Sequence, residues 1–575
     1  MRRRSRLWFL PAAAVVLALF AFTLLACIHV RGLGAADDAF ITFRMARNLA
    51  EGHGLRFNPD GSPVEAASNF LLTVTLAGAH LLGLSLIQTS AAIGVIAAAL
   101  TLLLLAWCAW RRAGPVGLLA PAGLATMYLL ARNVTNGLET GLCTLLLLCA
   151  AVVYVEAEEG RPRRRALLVF SSLLLAVVSL TRPEGPIYFV ALAVVRLVDL
   201  WRRRRRGQPL DLRAELIWVA GFVIVYLPYT VWRVSYFGAL LPNTYHAKAM
   251  QFDELSKLHA GASYLALMLL KEPLVPLGLA AGALSHWMAP SRTLRALLAL
   301  VTAQCLFMLL SGGDWPHMFG YGRFLLPAVP LVLWILVEAG ARLLRLRRRA
   351  AVVGAVAAAV GLSQVDLVSI VGIRMPVHYR YQTEVTTRQA LHQAYLVEPG
   401  RLPPGEWLAR STQTFRLDRY HQNFDAVVGM WLRDFYGPGT RIASIQAGQF
   451  AFWSEMSFFD MFGLVSPQVT QLGSYKPEKM AALIRSFNPR LIAFYKWNQG
   501  VHHRPLVLGG HLEQAGYGLR FVFLRGRLRA FIVFEKGYVS DADPHEVLFS
   551  TMQDLPRRVN LDRLIAALDL NHPEL

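Results

Sequence analysis

Eleven runs of apolar residues, each near the length of a membrane helix and several closed by arginine clusters, constrain this chain more than any other feature. A hydrocarbon core of roughly 30 Å takes about 20 helical residues. The runs lie near 7–30, 88–110, 115–131, 139–156, 166–181, 184–201, 214–233, 262–285, 295–311, 323–341 and 350–372. Lys and Arg favour the cytoplasmic side of short loops. With the arginine-rich N-terminus inside, the pairs and runs at Arg111-Arg112, Arg163 to Arg165, Arg202 to Arg206 and Arg347 to Arg349 all fall on that side. The eleventh span then delivers residues 373–575 to the opposite side. This parity requires that 69–87 does not cross; with Asn69, His80 and several Gly and Thr, it reads as an interfacial helix.

Composition agrees. The chain is 55% hydrophobic and 17% charged, with a mean hydropathy of +0.41, which excludes an ordinary soluble protein. Its formal charge of +21 sits in runs just behind apolar segments, the pattern of membrane topology and not of a nucleic-acid surface. The five cysteines, Cys27, Cys108, Cys143, Cys149 and Cys305, all lie in apolar runs, so neither a disulfide framework nor a cysteine metal site is implied. Leu24-Leu25-Ala26-Cys27 is close to a lipobox, but the first run exceeds a usual signal segment and is expected to remain as an uncut helix.

Two domains are expected: a membrane domain over 1–372, with a first external loop at about 31–87, and an extracytoplasmic α/β domain over 373–575. Short strand-like runs at Arg441 to Gln446, Leu491 to Tyr495, Arg520 to Leu524 and Ala530 to Phe534 are separated by helical patterns such as Pro477 to Ser486.

Ionisable residues gather in the outward loops. The first carries Asp37 and Asp38, then Arg44, Arg47 and Asn48; on a helix Asp37, Ile41, Arg44 and Asn48 share a face. One acid would suffice to cap a short interfacial helix, whereas a second carboxylate at a membrane surface points to function. The remaining loops supply Glu139, Arg182 and Glu184, then Asn243, His246 and Lys248, then Asp314, Trp315 and Arg323. Singly these could be snorkelling or belt residues. Together on one face, acids with Arg, Lys and His suit a site that holds a phosphate and deprotonates a hydroxyl. The run from Ala447 to Gly463, with Gly448, Trp453 and Asp460 among aromatics such as Phe450, Phe452, Phe458 and Phe459, suits an acceptor glycan, but its aromatics are read as core.

The stretch from Asp37 to Pro59, the Gly-Leu-Glu-Thr and Thr-Arg-Pro-Glu-Gly turns, Leu-Pro-Asn-Thr-Tyr-His-Ala-Lys and Gly-Gly-Asp-Trp together resemble the membrane-embedded GT-C glycosyltransferases. The branch they look like includes mycobacterial arabinofuranosyltransferases and membrane proteins affecting flagellar motor function. The likeness covers about 1–345. It implies an α-helical polytopic GT-C fold and inverting transfer of a sugar, arabinofuranose among the candidates, from a polyprenyl-phosphate donor to a glycan, lipid or protein acceptor at the inner membrane.

The resemblance places the general base on Asp37, with Asp38 beside it; Arg182, Lys248, Arg323 and His246 are the candidates to meet the donor phosphate, with Arg44, Glu139, Glu184, Asn243 and Asp314 around them. Phe40 stands where related motifs have Tyr, and Val64 to Asn69 replaces an aromatic-rich stretch, which bears on the substrates and not on the chemistry. Two carboxylates can recruit a divalent cation but are too few to define its site. The alternatives are a non-enzymatic membrane protein supporting flagellar motor or envelope assembly, and a transporter. The latter would carry mid-span charges and an internal repeat, neither of which is evident.

Overall fold

The computed structural model describes residues 3–31, 35–160, 163–249, 254–314, 322–344, 424–472, 477–497, 515–525, 529–538 and 559–560. The eleventh expected span, the 372/373 domain boundary, Trp315 and the Arg347 to Arg349 run lie outside them.

The membrane part runs α1 (Arg3–Arg31), α2 (Asp37–Ala50), α3 (Phe70–Leu81), α4 (Leu86–Ala113), α5 (Leu119–Ala125), α6 (Tyr128–Val134), α7 (Thr140–Glu158), α8 (Arg164–Thr181), α9 (Gly185–Arg205), α10 (Leu212–Phe237), α11 (Asn243–Ala249), α12 (Glu254–Lys271), α13 (Leu274–Met288), α14 (Arg292–Leu310) and α15 (Val329–Leu344). Local chemistry sets several ends. Ser85, Asp211 and Ser291 cap α4, α10 and α14 by accepting from Gln88, Ala214 and Leu294 N–H groups at 3.4, 3.2 and 3.3 Å. Gly114 and Gly238 then close α4 and α10 at φ +63° and +69°.

Six helices among the described residues are long and apolar enough to cross a bilayer, or seven if one bent pair counts as a span. Helices α9, rich in arginine, and α15, with 16 residues, also run between the two polar ends of the bundle. The 12 residues of α3 rise only about 18 Å, too short to span, as expected of the 69–87 segment.

Two expected spans are not continuous helices. The 115–131 run is a 3-10 turn, Gly114–Leu118, followed by the seven-residue α5 and α6. It still carries the chain from one end to the other, since Arg111 pairs with Glu156 at 2.7 Å while the Asn136 carbonyl accepts from Ala36 N–H at 2.7 Å. The 262–285 run breaks between α12 and α13, which bend by 88° at Glu272-Pro273, where a proline cannot donate to the helix. Close helix contact at Gly94 of α4 depends on the missing side chain, because a Cβ there would strike the Val134 carbonyl.

The arginine-rich end is stitched by ion pairs: Arg164 to Asp211 at 3.3 Å, Arg196 to Glu158 at 3.0 Å, Arg295 to Asp199 at 2.5 Å and Arg342 to Glu338 at 3.4 Å. The other end carries α2, α3, α11 and the C-terminal domain. Beneath that end, Arg233 of α10 donates Nε to both oxygens of Glu65, at 2.8 and 2.9 Å, and Nη2 to the Leu240 carbonyl at 2.7 Å. Burial raises the Glu65 carboxyl above its usual range and Arg233 pulls it back. Because removing one partner strands a buried charge, Glu65→Ala should cost about 3–5 kcal/mol, and Glu65→Leu with Arg233→Met appreciably less. Unfolding midpoints in lipid nanodiscs would compare them.

The C-terminal domain consists of α16 (Phe424–Tyr436), β1 (Arg441–Ser444), α17 (Gln449–Ser454), β2 (Ser457–Asp460), α18 (Pro467–Thr470), α19 (Pro477–Phe487), β3 (Leu491–Trp497), β4 (Tyr517–Arg525), β5 (Arg529–Lys536) and β6 (Val559–Asn560). The sheet order is β2-β1-β3-β5-β4-β6. The first three strands are mutually parallel and β5 pairs antiparallel with both β3 and β4. Phe450, Phe452, Trp453, Phe458 and Phe459 are all buried, so this aromatic run is core.

Candidate functional site

Helix α2 begins without a side-chain cap. Its N-cap is Ala36, and Asp37 and Asp38 occupy the first turn, where carboxylates suit the helix dipole but close no capping hydrogen bond. The capping account of the pair therefore fails, and each acid has its own partner across the fold.

Asp38 faces Arg323, whose Nη1 and Nη2 both lie 3.3 Å from Asp38 Oδ2. Arg323 is itself gripped by the buried Asp314 through Nε and Nη2, both at 2.7 Å. Asp37 turns instead toward the C-terminal domain, where its Oδ1 accepts from the Gln449 backbone N–H at 2.8 Å. Gly448 lies so close that an added Cβ would overlap the Asp37 carboxylate. No cation contacts Asp37 among the described residues. Packing by protein, with Asp425, Asp38 and Asp460 adding negative charge, pushes its carboxyl up to about 7 in spite of the Gln449 hydrogen bond. One acid is thus charge-compensated and the other is held near neutrality, the separation that general acid–base chemistry requires.

The second cluster abuts the first. Arg182, between α8 and α9, donates Nη1 to Glu139 at 2.9 Å and Nε to Glu184. Glu139 also accepts from Asn69 Nδ2 at 2.9 Å, and Asn69 exchanges hydrogen bonds with Thr42 of α2 at 3.2 and 3.1 Å. The Arg182 and Arg323 guanidiniums lie 5.1 and 5.6 Å from the Phe324 ring, which joins the two clusters. The structure therefore brings together Asp37, Asp38, Glu139, Arg182, Glu184, Asp314 and Arg323. Both arginines are already flanked by two carboxylates each, as buried cations must be to offset desolvation.

The other candidates lie elsewhere. Arg44 is buried in the seam with the C-terminal domain and donates to the carbonyls of Phe57 at 2.8 Å, Met456 at 2.6 Å and Ala451, and to Asn58 Oδ1 at 3.1 Å. Asn243 donates to the Gly463 and Leu464 carbonyls at 2.7 and 2.8 Å, so it too is a domain tie. His246 is exposed on α11, and the Lys248 side chain lies outside the described residues. Sequence reasoning missed Asp425 and Gln449 and named Gly448 only as part of the aromatic run; all three reach Asp37 only through the tertiary fold. Among the described residues no three His, Cys, Asp or Glu come close enough to hold a metal ion.

Residues 413–542 match the model of a domain of unknown function, DUF8728. The chain is 29% identical over 236 residues to the terminal β-(1→2)-arabinofuranosyltransferase of Mycobacterium tuberculosis, a match covering 39% of this chain and only 36% of that relative. It superposes on ArnT from Cupriavidus metallidurans bound to undecaprenyl phosphate over 92% of this chain and 98% of that one, with a TM-score of 0.55 and 14% identity. The apo form of the same protein gives 0.54, with 15% identity and coverage of 90% and 97%. The chain has the fold of the GT-C membrane glycosyltransferases. Within that class its sequence is similar to an arabinofuranosyltransferase over about two fifths of its length.

Proposed function

We propose that this protein is an inverting glycosyltransferase of the bacterial inner membrane. It takes a sugar, arabinofuranose being the first candidate, from a polyprenyl-phosphate carrier and gives it to a cell-envelope glycan, lipid or protein on the outer face. The C-terminal domain, taken as 373–575 beside a membrane domain of 1–372, then stands on that same face. The observation that carries this reading is the unequal pair at the start of α2: Asp38 is held by Arg323, while Asp37 meets no cation among the described residues and takes the Gln449 N–H instead.

In this reading Asp37 accepts the acceptor hydroxyl proton as the new glycosidic C–O bond forms. The bond from the anomeric carbon to the phosphate oxygen breaks, its electron pair stays on oxygen, and polyprenyl monophosphate departs. Cations that meet the growing charge stabilise the transition state more than the ground state. Arg182 and Arg323 stand within the clustered residues and are the cations this reading assigns to the phosphate. The polyprenyl tail is accommodated by lipid, which explains why the chemistry is built on a membrane fold.

A base must be ionised to act, so transfer should rise with pH through a single limb centred near 7, set by Asp37. A profile of kcat/KM from pH 5 to 9 reads it; a profile with no acidic limb in that range would remove Asp37 from the role. Mass analysis of surface glycans from a deletion strain tests the reading as a whole. Loss of one sugar residue identifies donor sugar and linkage, and an unaltered envelope counts against glycosyl transfer.

A further inference from the structure

In the C-terminal domain β1 is flanked by β2 on one side and β3 on the other, both parallel to it. The chain leaving β1 goes to β2 on one side and the chain leaving β3 goes toward β4 on the other, so the order reverses between β1 and β3. In parallel α/β sheets, ligands settle outside the carboxyl ends of the strands at such a reversal, often against the backbone of the turn that follows. Here the place is taken by part of the same chain. The turn after β1 ends at Gly448-Gln449, and the group resting on it is the Asp37 carboxylate.

The fit is held from several sides. Gln449 Nε2 donates to the Ala35 carbonyl at 3.3 Å, Arg47 pairs with Glu455 at 3.2 Å, and Asn58 both donates to and accepts from the Phe458 backbone at 2.8 and 2.9 Å. Together with Arg44 and Asn243, these ties fix the domain at both ends of the contact. The charged groups bearing on Asp37 are Asp38 from its own helix, Asp460 from the end of β2, and Asp425 from the first turn of α16, where the next residue, Ala426, packs in one buried cluster with Ala39, Phe40 and Phe43 of α2. Asp460 is engaged by the N–H groups of Phe462 and Val465 at 2.8 and 3.1 Å, and Asp38 by Arg323.

We propose that the C-terminal domain completes the catalytic site, the Gly448-Gln449 peptide positioning the Asp37 carboxylate and Asp425 acting as its electrostatic neighbour. The domain is then a working part of the transfer machinery and not an appended acceptor module. This rests on Asp37 being the base, but the placement of its carboxylate can be read without any substrate. Like charges nearby disfavour ionisation, so replacing Asp425 by its neutral isostere should ease proton loss from Asp37.

The test uses full-length protein in nanodiscs with 13C-carboxyl-labelled aspartate. Subtracting the NMR spectrum of Asp37→Asn isolates the Asp37 resonance. In Asp425→Asn its titration midpoint should fall by on the order of 0.5–1 unit, and the acidic limb of transfer from decaprenylphosphoryl arabinofuranose should move with it. In Gly448→Ala the displaced carboxylate should change its midpoint and chemical shift. Transfer should then fall on the order of 10²-fold in kcat, with the donor KM little changed. An Asp37 titration identical to that of the parent in both variants overturns the proposal. Should Asp37→Asn retain full transfer, the base assignment fails, while the NMR midpoints still decide whether the domain positions this carboxylate.

Discussion

Asp37→Asn is expected to lower glycosyl transfer by roughly 10²–10⁴-fold while leaving the protein folded. The substitution keeps the shape of the side chain, and the amide oxygen can still accept the Gln449 N–H that now meets Asp37 Oδ1 at 2.8 Å. What it removes is the ability to take a proton. Donor binding should be little affected, so the loss falls on kcat. The matching change at the adjacent position, Asp38→Asn, acts differently, since it frees an edge of Arg323 whose other contacts are to Asp314. Unfolding midpoints within a few degrees of the parent would show that the effect of Asp37→Asn is chemical. Full retained turnover would end the assignment.

Arg44→Met is expected to produce the largest structural effect. The guanidinium is buried and donates to three backbone carbonyls and the Asn58 side chain, two of those carbonyls belonging to the C-terminal domain. Its charge is satisfied by these dipoles and by the Phe57 ring at 4.5 Å, and burial lowers its pKa to about 9, still protonated at neutral pH. Methionine fills similar volume but makes none of these hydrogen bonds, although Phe57, Asn58 and Ala451 keep their second donors. Charged hydrogen bonds contribute about 1.5–3 kcal/mol each, and loss of the set should cost at least about 3–5 kcal/mol. Lysine restores the charge without the fork and should recover little of it. Limited proteolysis would detect the result as early release of the region beyond 424, and transfer should fall with it because Asp37 loses its backbone partner.

How far each feature was legible follows from its range along the chain. Apolar length and arginine placement are local, and the two ends of the bundle sort as those signals say. The breaks at Gly114–Leu118 and at Glu272-Pro273 were missed because a hydropathy window averages over a turn. The strands at 441, 491, 520 and 530 show β-rich runs bounded by breakers, whereas β2 is four residues long and buried throughout, with no alternation to reveal it. At the site, the doubled acid of α2 was visible as chemistry in excess of a cap. That Asp38 would find Arg323 and Asp37 would find Gln449 was not, since the partners are 285 and 412 residues away. Arg44 and Asp37 share a helix face in sequence, but only the docked domain separates a seam residue from a site residue. That Arg182, a candidate for the donor phosphate, pairs with Glu139 is not visible in sequence, since the acid lies 43 residues earlier and carries no mark of the pairing.

Single turnover with a polyprenyl-phosphate sugar labelled with 13C at the anomeric carbon tests the central claim most directly. With parent protein in nanodiscs and an envelope glycan acceptor, the account predicts a product whose anomeric configuration is inverted relative to the donor, formed by direct displacement with Asp37 as base. A product of retained configuration, or no transfer from any polyprenyl-phosphate sugar, would contradict it.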